Sequence, residues 1–152
     1  MSQLAELNIA VPLHPLDSPA MAGFVDNLDR INALAERSPG FVWRLIAPAT
    51  AADPMDVIPN LSVWDDVRSL EHFVFGTIHR QIYAQRADWF PKLKTRHFVM
   101  WWVDDGHQPD LAEAYARLDH LDRQGNSNHA FDWAHVPGLT RHLAAACTTE
   151  PA

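Results

Sequence analysis

Between His97 and Val103 the chain carries a large apolar or aromatic side chain at every step after the first residue. In an extended segment Phe98, Met100 and Trp102 point to one side, and Val99, Trp101 and Val103 to the other. A strand of this kind cannot sit in a sheet with one wet face, because both of its faces need cover. The segment therefore predicts a sheet packed on both sides, and the rest of the chain has to supply the other strands and the covering elements.

Three further segments read as strands. Leu4 to Val11 alternates Leu7, Ile9 and Val11 against Glu6, Asn8 and Ala10, the period of a half-buried strand. Phe41 to Ile46 is short and rich in aromatic and branched residues. Val57 to Trp64 is the third, and Pro59 within it points to an edge or a bulge at that end. Two amphipathic helices separate them. The first covers about residues 18–37, with Met21, Phe24, Val25, Leu28, Ile31 and Ala35 on one face; Asp17 or Ser18 is its expected N-cap. Ser38-Pro39-Gly40 ends it. The second starts at Asp65 or Asp66 and runs to about Asp88, its apolar stripe formed by Leu70, Phe73, Val74 and Ile78. The order is β-α-β-β-α-β, an α+β, ferredoxin-like split βαβ arrangement with a four-stranded antiparallel sheet. A third helix over Pro109 to Gln124 follows, so residues 1–125 form one domain and 126–152 an irregular tail carrying Phe131 and Trp133.

Two helices cover only one face of such a sheet. A bare second face would be an apolar patch larger than monomers tolerate. A second copy of the chain, closing a dimeric α/β barrel, is the expected cover; the third helix with the Trp133 tail is the competing one. Composition narrows the function classes. With 12 basic against 19 acidic residues, a net charge of -7 does not favour nucleic acid as a partner. No apolar run reaches the 18 residues of a membrane span, and the N-terminus has no basic or apolar leader, so a soluble, cytoplasmic protein is expected. Cys147 is the single cysteine, which excludes an intramolecular disulfide and multi-cysteine zinc sites. Nucleotide loops, nucleophile elbows and the H-E-x-x-H motif are also missing.

Chemistry has to come from the remaining polar groups. Alternation places Glu6 and Asn8 on one face of the first strand, and Asn60, Ser62 and Trp64 on one face of the third. Asn8 and Asn60 offer amide donors to a carbonyl or developing oxyanion, with Trp64 stacking on a planar ring; the alternative is that these amides bond to backbone at a bulge near Pro59. On the second helix His72 and His79 lie seven residues apart on one face, near Phe75 and Tyr83. They are either solvent-facing or helix-three-facing, or they supply a general base or metal (haem) ligand. Arg44, mid-strand among apolar residues, can neutralise an anion. Trp64, Trp101 and the other Trp residues either fill the core or line a cavity for a flat ligand.

The motifs Gln3-Leu4-Ala5-Glu6-Leu7-Asn8-Ile9-Ala10, Ile31 to Arg44, Asn60-Leu61-Ser62-Val63-Trp64, His79, Trp89-Phe90, Trp101-Trp102-Val103 and Gly106-His107-Gln108-Pro109 resemble, in that order, the bacterial DUF3291 family. The resemblance covers about residues 3–125. It implies the dimeric α/β-barrel fold, whose relatives include cofactor-free anthrone-type oxygenases and haem-degrading monooxygenases. It favours His79 over His72 as acid, base or haem ligand, and an Asn with a Trp four residues on resembles the pocket of the cofactor-free relatives. The helical Trp that haem-degrading relatives carry ten residues before the His is replaced here by the Arg68-Ser69-Leu70 region. The expectation is a homodimeric, cofactor-free enzyme oxygenating, cyclising or rearranging a planar or polycyclic metabolite. His79, Asn60 and Asn8 are its expected catalytic residues; Trp64, Trp101, Arg44, Phe75 and Tyr83 hold substrate; no metal is held. Haem on His79, or binding without turnover, are the alternatives.

Overall fold

In the computed structural model, which describes residues 1–15, 17–46, 58–76 and 96–136, four strands form. They are β1 Ser2–Ala10, β2 Phe41–Arg44, β3 Ile58–Trp64 and β4 Phe98–Asp104. All neighbours pair antiparallel, in the order β2-β3-β1-β4. Helix α1 (Ala22–Arg37) lies between β1 and β2, α2 (Val67–Gly76) follows β3, and α3 (Leu111–Gln124) follows β4. This is the ferredoxin-like order expected from the pattern, as an open sheet with one extra helix.

Element ends differ from expectation for local reasons. β1 starts earlier, at Ser2, because Ser2 and Gln3 find partners in Asp104 and Val103. The entry to α1 is a 3₁₀ turn, Pro19–Met21, and Ser18 does not cap it through its side chain. Its hydroxyl instead donates to the Pro15 carbonyl at 2.6 Å. Asp66 does cap α2: its Oδ1 accepts from the Ser69 N–H at 2.8 Å and from the Ser69 hydroxyl at 2.9 Å. Asp110 caps α3 by accepting from the Glu113 N–H at 2.8 Å. The part of the second helix expected beyond Gly76 lies outside the described residues. Pro59 sits within β3 opposite Ile9 of β1, beyond the end of β2, so its missing N–H faces no strand among the described residues. At the α1–β2 corner Gly40 has φ +83°, and a Cβ there would overlap the Ser69 side chain on α2.

The sheet is apolar on both faces, and both are covered over its central strands. One face carries Leu4, Trp64 and Met100 against Ala35 of α1 and Leu70 and Phe73 of α2, joined by Phe131 and Trp133 of the tail. The other carries Ala5, Leu7, Leu61, Val63, Val99, Trp101 and Val103 against Ala114, Leu118 and Leu121 of α3. Over β1 and β4, α3 of the same chain takes the place for which a second copy was expected, in line with the competing reading. The tail also reaches the free edge of β4, where Phe131 and Met100 exchange backbone hydrogen bonds at 2.8 and 2.9 Å. Edge pairing of this kind occupies donors that would otherwise be open to another strand.

Candidate active site

The strand register sets three rows of side chains on the α1/α2 face. Phe41, Trp64, Leu4 and Trp102 form the first, Arg44, Ser62, Glu6 and Met100 the second, and Asn60, Asn8 and Phe98 the third. Polar groups thus gather at the centre of the sheet and at one end of it.

Glu6 lies at the centre of the middle row. It is 6% exposed, with Ala5 and Leu7 beside it turned to the opposite face. Ser62, directly opposite on β3, donates its hydroxyl to Glu6 Oε1 at 2.7 Å. Trp64 Nε1 in turn donates to Ser62 Oγ at 2.9 Å. Glu6 Oε2 has no hydrogen-bond partner among the described residues. Burial pushes the carboxyl up to about 8, and the Ser62 hydrogen bond opposes this with a smaller effect. At neutral pH Glu6 is therefore a protonated acid held out of water.

Asn8 and Asn60 are cross-strand partners one step along, Asn8 half-buried and Asn60 exposed. Among the described residues neither side chain makes a hydrogen bond, so the alternative of amides spent on a bulge near Pro59 is not seen there. Phe98, the other neighbour of Asn8, stacks on Trp133 at 5.6 Å, and Phe75 meets Trp133 edge-on at 5.4 Å. The result is an uncommitted amide pair beside an aromatic wall, with a protonated carboxyl in the adjoining row.

Several expected residues do not join this arrangement. Trp64 is inside the core, stacked on Phe73 at 5.2 Å and edge-on to Phe41 at 5.4 Å, so its ring faces are occupied. Trp101 lies on the opposite face of the sheet, because adjacent strand residues alternate and it pairs with Ala5. There its Nε1 donates to Glu113 Oε1 at 3.1 Å, while Glu113 Oε2 lies 2.7 Å from His107 Nε2. These bonds fasten the start of α3 to β4. Arg44 does share the polar row, but its Nε donates to Glu36 of α1 at 2.7 Å, so its charge is already matched. Phe75, expected to hold substrate, packs edge-on against Trp133. His79 and Tyr83 lie outside the described residues. The haem alternative rests on His79 and lies outside them too; His72 is exposed on α2. No group of three His, Cys, Asp or Glu that could hold a metal is found among the described residues. Nor, among them, is any helix long and apolar enough to cross a membrane.

Sequence reasoning put Glu6 and Ser62 on the right face but did not count them as site residues. The signal was there: a carboxylate flanked by Ala5 and Leu7, two residues before an Asn, in a strand expected to be covered on both sides. Trp133, expected with the third helix as the alternative cover of the sheet, packs in the α1/α2-side core.

The chain matches the family described as Domain of unknown function (DUF3291) over residues 3–145. No curated protein matches it. Among solved structures it is similar to the NE2512 protein of unknown function from Nitrosomonas europaea, with 16% identity and a TM-score of 0.47; the match covers 72% of this chain and 97% of that one.

Proposed function

Since the chain belongs to the DUF3291 family, whose description carries no activity, we propose from its own residues that it is a small-molecule enzyme working without a cofactor. The substrate is a planar or polycyclic ring compound whose cyclisation, rearrangement or oxygenation passes through an enolate-like oxygen. The observation that carries this reading is the Asn8–Asn60 pair: two adjacent amides, free of hydrogen bonds among the described residues, beside Phe98 and Trp133. Amide N–H groups set in advance toward an oxyanion stabilise it without reorganising. The aromatic wall supplies the apolar contact that a flat ring needs. His79 keeps its proposed role as a second acid or base.

Side-chain amide resonances of Asn8 and Asn60 provide the test. Titrating the protein with 2-tetralone and 2-indanone, two flat ring ketones, should shift both pairs of resonances, and N8A/N60A should weaken binding at least about tenfold. Resonances that stay in place throughout the titration would remove the ligand site from this end of the sheet.

A further inference from the structure

We propose that Glu6 is the catalytic residue of this site, shuttling a proton between two carbon atoms of a β,γ-unsaturated ring ketone whose oxygen rests on Asn8 and Asn60. The proposal rests on the ligand site argued above and adds the reaction and the substrate class.

Geometry is the first support. Glu6 and Asn8 point to the same side of β1 two residues apart, about 7 Å along the strand. The proposal places the ring along β1, its carbonyl oxygen at Asn8 and its reacting carbons toward the Glu6 carboxyl. One carboxyl oxygen is fixed by Ser62, whose own hydroxyl is fixed by Trp64, and the other has no partner among the described residues. In a buried carboxyl with one oxygen held and the other unpartnered among the described residues, the unpartnered oxygen is the one left to exchange a proton. Packing of Trp64 between Phe41 and Phe73 keeps the relay rigid.

The step balances without an oxidant or reductant. As carboxylate, Glu6 takes the proton from the carbon next to the carbonyl: that C–H bond breaks and an O–H bond forms on Oε2. The C–H electron pair moves into the ring, and the charge settles on the carbonyl oxygen, where the Asn amides donate to it. In the second half the O–H bond of Glu6 breaks, the C=O bond re-forms, the double bond between the β- and γ-carbons moves to the α,β position, and its displaced electron pair forms a C–H bond at the γ-carbon. The ketone leaves as its isomer and Glu6 is again a carboxylate. Burial makes that carboxylate a stronger base than one in water, which suits a weakly acidic C–H bond.

Other charged groups near this row are accounted for among the described residues. Arg44 and Glu36 neutralise each other on the β2 and α1 side. Arg68 pairs with Glu71 on α2, and His72 is exposed there. Arg96 pairs with Asp132 at the tail, and His135 packs on Phe131. Of these only Arg44 shares the row, beside Ser62 on β2, and its guanidinium is taken up by Glu36.

The test is hydrogen exchange at the α-carbon of 2-tetralone in heavy water, followed by proton NMR with the full chain, alongside the amide titration above. Wild-type protein should accelerate exchange over buffer, with a rate that rises with pH and levels off above about 8. Glu6→Gln should lose about 10²–10⁴-fold while still shifting the Asn8 and Asn60 resonances, the span for removing a general base. Ser62→Ala is a positioning variant: without its hydrogen bond to the carboxylate, the pH midpoint should move upward. If the ketones bind and exchange is no faster than in buffer, or E6Q exchanges as fast as wild type, Glu6 is not the base and the ligand site stands without it. If the Asn resonances do not move, the site reading and the proposal fall together.

Discussion

Replacing Glu6 by glutamine should make the protein more stable at neutral and alkaline pH, although it removes a charge-bearing group from a hydrogen bond. The native carboxyl titrates at about 8 against an ordinary value of 4.5, so between these values the folded protein holds a proton that the unfolded chain has released. Stability conferred by that proton is fully present below about pH 4.5 and is lost as pH rises to about 8, after which the curve flattens. At 1.36 kcal/mol per unit, the whole shift corresponds to a loss on the order of 5 kcal/mol, of which about 2–3 kcal/mol falls between pH 5 and 7. Glutamine has nearly the same shape, can still accept from Ser62, and does not titrate. Urea unfolding followed by tryptophan fluorescence at pH 5, 6, 7 and 8 measures both proteins. Subtracting one series from the other cancels the nine histidines. The difference should grow with pH in favour of E6Q, and at an m-value of about 1–3 kcal/mol/M the midpoints should separate by about 0.7–3 M from pH 5 to pH 7. Parallel curves would mean that Glu6 is ionised in the native protein, and the argument from burial would be refuted.

Gly40→Ala should cost about 2 kcal/mol or more, since it needs a positive φ and sets a methyl into the Ser69 side chain; chemical denaturation reads this directly. Glu113→Ala should cost about 1–3 kcal/mol by leaving the buried Trp101 Nε1 unpaired, and should lower amide-exchange protection at the start of α3 more than in the β1–β3 pair. Trp133→Ala should cost about 3–5 kcal/mol, because the indole is buried against Phe98 and Phe75; a loss under about 1 kcal/mol would return the tail to the status of an appendage.

The order β-α-β-β-α-β, the third helix, the Asp66 cap and the two-sided apolar sheet were all legible in the chain, because period and punctuation are local properties. Alternation along β1 and β3 even assigned Glu6, Asn8, Asn60, Ser62 and Trp64 to common faces within each strand. Register between strands is different: it depends on which residues meet once the whole sheet packs. Only the pairing of β1 with β3 sets Ser62 opposite Glu6 and Asn60 opposite Asn8. Only the approach of α1 brings Glu36 to Arg44 and occupies its charge. Trp64 and Trp101, similar in sequence as candidates for holding a ring, end on opposite faces, one engaged by Ser62 and the other by Glu113. The choice between a second copy and α3 as cover was likewise open, since both bury the same apolar face and the sequence contains no measure of where a helix returns after Gly106 and His107. A raised carboxyl is a tertiary property in the same sense. Any strand can carry a glutamate between alanine and leucine, and the layers on both sides of the sheet are what take the water from this one.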